Sequence, residues 1–305
     1  MQGSTAFKQQ ADQEQATPWR DYFLEFVQLF PQQFVQELKA LAPDYRTAHL
    51  PWKFIGDEIA YSIEVHSHAQ ISQLLDAFIR TVRGYAPTQS AGRMASNLKL
   101  KGCAWVAGFP VGNACIEVYG DSGKREDYLG PCVDTGFRIA RLADTRRFAI
   151  SAELAWLLTH PKHPRSDCRT FCYDGRKKMT GVMERDGYPA IWIDTENYNR
   201  TPLADAEDQL TGGYKNVGLG ELHVFCRLYI ENHGEPRFLP FFPAQLSDNR
   251  EDWAVDYRAT HRALLLEYTQ EKAKQGVKDT NAKLGSASDA EPDNYLPPLN
   301  GESAS

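Results

Sequence analysis

Apolar residues recur at Phe23, Phe26, Val27, Phe30, Phe34, Leu38 and Leu41, the spacing of one buried helix face. Thr17 followed by Pro18 marks the start of that helix, a capping hydroxyl before a proline at the first helical position. Pro31 lies inside the pattern and is expected to kink or split it. Residues 50–65 read differently: they are rich in β-formers and broken at Gly56-Asp57, which predicts a hairpin with those two residues at its turn. Ile71, Leu74, Leu75, Phe78 and Val82 predict a second amphipathic helix over 69–84. Leu98, Leu100, Ala104 and Val106 predict a strand, and Ile116-Glu117-Val118-Tyr119 another.

Asp121-Ser122-Gly123-Lys124 reads as a turn, and Asp134 and Arg138, four residues apart, share one face of a helix. Phe148-Ala149-Ile150 predicts a short strand, after which Ser151 caps a helix through Leu158. Residues 160–178 are polar and basic and predict a loop; Ala190-Ile191-Trp192-Ile193 predicts a strand. This order points to an α+β or α/β sandwich, with helices packed on a mostly antiparallel sheet. Further on, Leu222, Val224, Cys226, Leu228 and Ile230 alternate with other residues, as in a strand buried on one face. Asp248 with Glu251 resembles a capping box, opening a helix to about Lys274. Ser, Asp, Gly, Asn and Pro dominate the rest, which is expected to be disordered. The organisation is therefore a domain over 1–200, an extension over 201–274 packed on it, and a disordered tail over 275–305.

The chain has 305 residues, 42% hydrophobic and 24% charged, an ordinary globular composition with ample material for a core. A net charge of −6 argues against a nucleic-acid groove. No stretch approaches the roughly 20 apolar residues of a membrane span, and Met1 to Lys8 carries no apolar signal-peptide core. A soluble, cytoplasmic protein is expected, with neither nucleic acid nor membrane as partner. The cysteines at 103, 115, 132, 168, 172 and 226 are expected to be free thiols. Cys168 and Cys172 with His160 and His163 lack a strong zinc spacing, and buried thiols with loop histidines are the plainer reading. His66 and His68 form a pair with no third ligand near them in sequence.

The chemistry concentrates in two segments. Lys53-Phe54-Ile55-Gly56-Asp57 ends an apolar run on a carboxylate at a tight turn. Asp127-Tyr128-Leu129-Gly130-Pro131-Cys132-Val133-Asp134-Thr135-Gly136-Phe137-Arg138 adds two acids and an arginine. Acids for metal and an arginine for phosphate charge are what phosphoryl transfer asks for. Together these segments resemble the class III nucleotidyl cyclases over about residues 1–195. That resemblance implies a class III cyclase-like sheet with helices packed on one face, here carrying a C-terminal strand and helix extension. It also implies a homodimer with its sites across the interface, and two Mn²⁺ or Mg²⁺ ions per site. By position, Asp57 matches a metal aspartate, and Arg138 the arginine that stabilises charge on the transferring phosphoryl group. Read structurally, the first is a β-turn aspartate and the second an exposed helix arginine. Asp134 stands where most members carry a ribose-orienting asparagine, and would instead position Arg138. Lys53 and Asp127 match the two positions that read the base edge.

One donor and one acceptor fit any base by shifting slightly, so this pair alone does not select among them. Trp52, His49 and Tyr45 crowd the approach to Lys53, which favours a smaller, pyrimidine base. The compact form, the divergent Asp134 and the extension resemble the pyrimidine cyclases of the bacterial Pycsar anti-phage systems. That resemblance implies cyclic UMP or cyclic CMP made from UTP or CTP, and a separate effector protein activated by it. The alternatives are a purine (adenylate) cyclase and a cyclase-like domain that binds nucleotide without turnover. The family's first metal aspartate sits in a pattern like Asp-Met-x-Gly-Ser-Thr, whereas this chain begins Met1-Gln2-Gly3-Ser4-Thr5. Gly3 and Ser4 thus match substrate-binding positions just after a missing aspartate, and Met1 is expected to be an internal methionine of a longer frame. The triphosphate lysine has no clean match; Thr180 falls near it, with Lys177 and Lys178 as stand-ins.

Overall fold

The computed structural model describes residues 18–43, 51–85, 99–109, 113–120, 123–161, 169–181, 187–195, 202, 206, 209–210, 216–232, 239–240 and 242. All belong to a compact unit spanning Met1–Asn249; a second unit, Arg250–Ser305, lies outside the described residues. The expected helix over 248–274 and tail over 275–305 therefore lie outside them too.

Helix α1 (Pro18–Leu41) buries Tyr22, Phe26, Phe30, Phe34 and Leu38, one residue per turn along one face. Pro31 lies within this single helix and does not split it. An interior proline costs ~3 kcal/mol or more, and here the buried face continues on both sides of it. Helix α2 (His68–Gly84) packs against α1 and starts where the Ser67 hydroxyl accepts the Gln70 N–H. Leu74 and Ala77 of α2 meet Phe34, Leu38 and Ala42 in one core cluster. Edge-to-face contacts of Phe78 with Phe30 and with Phe34 extend it.

The main sheet has four strands in the order β3 (Cys103–Ala104), β6 (Arg147–Ile150), β8 (Tyr188–Asp194), β7 (Thr170–Lys177). β3 runs parallel to β6, and the other pairings are antiparallel. The architecture is thus mixed α+β with a mostly antiparallel sheet. β8 is buried at every position, which is why its sequence is a continuous apolar run without alternation. Ser151 caps helix α4 (Ala152–Leu158), its hydroxyl accepting the Leu154 N–H at 3.1 Å. Among the described residues no helix is long and apolar enough to cross a membrane.

Three expectations need correction. Of the strand expected across Leu98 to Val106, Leu98 lies outside the described residues, and among those described the pairing with β6 is confined to Cys103–Ala104. The loop expected over 160–178 contains β7. Its first half, Thr170 to Tyr173, is β-forming, and its polar second half suits a sheet edge, where a bulge between Tyr173 and Arg176 accommodates Gly175 at φ +78°. The strand expected through Leu222 to Ile230 is helix α5 (Leu219–Asn232), which packs on α4. Leu222, Cys226 and Ile230 are four apart and satisfy a period of two as well as a helical face. Burial settles it: Tyr229 is buried with them, while Val224 and Leu228 are half exposed.

Asp194 ends β8 with a fully buried carboxylate, gripped by Arg146 through Nε at 3.2 Å and Nη2 at 2.9 Å. Asp144 fixes the approach, accepting the N–H groups of Arg146 and Arg147 at 2.8 and 2.7 Å. Replacing Arg146 by methionine would remove the guanidinium that faces that buried charge. Arg146→Met is expected to lower stability by about 3–5 kcal/mol in urea unfolding.

Candidate functional site

Two hairpins build the site. The first joins β1 (Pro51–Ile55) to β2 (Glu58–Tyr61), with Gly56 at φ +62° and Asp57 in the turn, as the sequence predicts. In its register Pro51 faces Tyr61 and Lys53 faces Ala60, so Trp52 is the extra residue of a bulge. In a regular strand Trp52 and Lys53 would point to opposite sides; a bulge re-aims one of them. The second hairpin pairs β4 (Ala114–Gly120) with β5 (Gly123–Leu129), placing Asp127 opposite Ile116.

The hairpins meet where Lys53 Nζ bonds Asp127 Oδ1 at 2.6 Å, with about a quarter of the lysine and a fifth of the aspartate side chain exposed. The same ammonium lies 4.6 Å from the centre of the Trp52 ring. Burial acts to raise the Asp127 carboxyl. The Lys53 bond, the Tyr128 N–H donated at 2.8 Å and the ammonium charge outweigh it and hold the group below its ordinary value. The Trp52 indole N–H also favours the charged carboxylate, from outside hydrogen-bond geometry. Behind the pair stands an aromatic wall: Trp52 packs edge-on to Tyr128 at 5.1 Å and tilted to Phe137 at 5.9 Å.

Helix α3 (Pro131–Ile139) follows β5 directly. Gly130 makes the bend at φ 138°, and Pro131 occupies the first helical position. Asn113 secures this end, its Oδ1 accepting the Cys132 N–H at 3.1 Å while its Nδ2 donates to the Gly108 carbonyl at 2.8 Å. Asp134 and Arg138 do share a face, but Arg138 Nη1 donates to the Asp134 main-chain carbonyl at 3.2 Å. Arg138 Nε donates to the Thr180 carbonyl at 2.6 Å, bringing the 180–181 turn beside the guanidinium. Lys177 and Lys178 lie just before that turn, both exposed. Gly136 lies under the Trp105 indole, where a Cβ would meet ring atoms at 2.1 Å.

Under the aromatic wall lies a cavity of about 340 Å³, mostly apolar, with Asp57, Trp52, Tyr61 and Cys103 among its lining. Burial pushes the Cys103 thiol up to about 12, so it is not a nucleophile at neutral pH. The cysteines described, 103, 115, 132, 172 and 226, are thiols, as expected.

The structure thus brings Lys53 and Asp127 together, sets Asp57 at the near turn, and places Asp134 and Arg138 on the next helix. Gly3, Ser4, Tyr45, His49, His163 and Cys168 lie outside the described residues. Among the described residues no three His, Cys, Asp or Glu side chains are placed to hold a metal ion; Asp57 is the matched metal carboxylate they include. The sequence did not reveal that His68 stacks on His160 at 4.9 Å, nor that His160 lies 5.5 Å from His223. Their positions, 68, 160 and 223, carry no spacing that would show it. No protein-family model matches the chain, and no curated protein matches it in sequence.

Two outcomes follow. Gly136→Ala would force the Trp105 ring away from α3 and is expected to cost about 1–3 kcal/mol, with a shift in tryptophan emission. Because the Asp127 carboxyl is depressed in the folded state, its contribution is complete above its unfolded value and fades as pH falls through the folded value. The stability gap between the wild type and Asp127→Asn, read by urea melts, is expected to narrow as the pH falls below the ordinary carboxylate range and to close once the folded carboxyl is protonated.

Proposed function

We propose that this chain is a nucleotidyl cyclase of the class III type, acting on a pyrimidine nucleoside triphosphate, UTP before CTP. The observation that carries the reading is the Lys53–Asp127 pair: two residues from separate motifs, each matched to a base-reading position, meet at 2.6 Å. Asp57 lies in the turn of the same hairpin and Arg138 on the helix after Asp127, in the chain order of the family's motif. In the reaction the ribose 3′-oxygen bonds to the α-phosphorus, the bond to the β-phosphate oxygen breaks, pyrophosphate leaves and the 3′-hydroxyl proton is released. Arg138, held by two carbonyls, keeps an oriented guanidinium for charge developing on the phosphoryl oxygens. Asp134, exposed one turn earlier, matches the position that orients the ribose in the family.

Bound Mn²⁺ or Mg²⁺, two ions in the family, would neutralise the triphosphate and activate the 3′-oxygen. Asp57 is the described residue that would ligate them. A homodimer would complete each site across the interface. The product would act as a cytoplasmic second messenger in antiviral defence, switching on a separate effector protein.

Incubation with each of the four nucleoside triphosphates and Mn²⁺, with products resolved by mass spectrometry, tests the reading. Cyclic UMP, with less cyclic CMP, is expected. Cyclic AMP alone would place the chain among the purine cyclases, and nucleotide binding without pyrophosphate release would make it a non-catalytic binding domain. Asp57→Ala is expected to abolish turnover while the fold persists, because a turn carboxylate carries little of the core. Arg138→Ala is expected to lower turnover by ~10²–10³. Unchanged activity in either variant would mean that the site lies elsewhere.

A further inference from the structure

Lys53 and Asp127 supply one donor and one acceptor, too few to choose among the bases. The structure adds a third group. The Trp52 indole nitrogen is buried, makes no hydrogen bond, and lies close enough to Asp127 to favour its charged form. The bulge in β1 takes Trp52 out of the regular ladder beside Lys53, the residue that bonds the same carboxylate. We infer that Trp52 is a specificity-determining residue whose indole N–H, with Asp127 and Lys53, reads a uracil edge; this rests on the cyclase reading above.

The argument is one of complementarity. Two donors flanking an acceptor match a base edge that presents an acceptor, a donor and an acceptor in turn. Uracil does so through O2, N3–H and O4. Cytosine presents an acceptor at N3 to the Asp127 carboxylate and a donor at N4 to one of the two N–H groups. Guanine sets its 2-amino donor against an N–H. Adenine offers only one acceptor and one donor along that edge, leaving the third group unmatched. A buried N–H without a partner gains most from a ligand atom that accepts from it. The Lys53–Asp127 bond does not block entry, because both side chains reach solvent and the ligand edge supplies a partner for each group as the bond opens. On entry the uracil N3–H replaces the lysine at Asp127, while Lys53 and Trp52 each donate to a carbonyl.

Trp52→Phe keeps an aromatic ring in the wall while removing the N–H together with part of the indole, a loss of packing that would weaken all four nucleotides alike. Titration calorimetry of UTP, CTP, ATP and GTP with the full chain and with Trp52→Phe reads the effect. In the wild type UTP is expected to bind at least tenfold tighter than CTP. In Trp52→Phe the UTP affinity is expected to fall about tenfold, as for one lost hydrogen bond, with CTP and ATP changing less than twofold. A second variant serves should that one fail to fold: Asp127→Asn offers an amide that can donate to cytosine N3, and is expected to reduce or invert the UTP preference. Equal losses for all four nucleotides, or an unchanged UTP to CTP ratio in Trp52→Phe, would overturn the role of Trp52 and leave the cyclase reading standing. Wild-type protein that binds no nucleotide would overturn both.

Discussion

A single misplaced residue, the bulge at Trp52, sets the geometry on which the site depends. Adjacent strand residues diverge unless the ladder is interrupted, and here the interruption lets Trp52 and Lys53 approach Asp127 together. The ion pair that results links two hairpins whose strands belong to separate two-stranded sheets. Isolated two-stranded ribbons are marginal by themselves. Their packing partner is the aromatic wall of Trp52, Tyr128, Phe137 and Trp105, which also forms part of the cavity lining.

Rigidity is distributed unevenly around that point. The main sheet behind the site is locked by buried polar contacts: Arg146 on Asp194, and Tyr188, whose hydroxyl donates to Glu153 at 3.1 Å and accepts the Ala152 N–H at 2.9 Å. Helix α3 is anchored at its start by Asn113 and fitted to Trp105 through Gly136, so Arg138 projects from a fixed platform. The Lys53–Asp127 contact itself reaches solvent, with about a quarter of the lysine and a fifth of the aspartate side chain exposed. Such a division, firm support beneath an exchangeable polar pair, suits ligand binding better than structural reinforcement.

Most of the helices and the first hairpin were legible in the sequence, because helical stripes such as Phe26, Phe30, Phe34 and Leu38 and the Gly56-Asp57 turn are local signals. Of the second hairpin only the strand around Ile116 to Tyr119 was legible, since β5 opens on polar residues. Failures came where the local signal is degenerate. Leu222, Cys226 and Ile230 fit two periods, and only Tyr229 and the exposure of Val224 separate them. β7 hides its strand character in a polar second half because an edge needs no apolar face. At the site, the motifs brought out Lys53, Asp57, Asp127, Asp134 and Arg138. Neither the orphaned Trp52 N–H nor the carbonyl anchors of Arg138 can be read from spacing, since both depend on a bulge and on the distant 180–181 turn. The histidines at 68, 160 and 223 converge for the same reason, through packing of α2, α4 and α5 rather than through a motif.

Lys53 and Asp127 reading one base is the claim on which everything functional here rests, and a double-mutant cycle on nucleotide affinity tests it most directly. UTP binding is measured for the wild type, Lys53→Met, Asp127→Asn and the double variant. Residues that serve one ligand edge couple, so each single change is expected to weaken binding and the double change to cost clearly less than the sum, with a coupling of about 0.5–3 kcal/mol. Strictly additive losses, or single variants that bind UTP as the wild type does, would contradict a shared base-reading role.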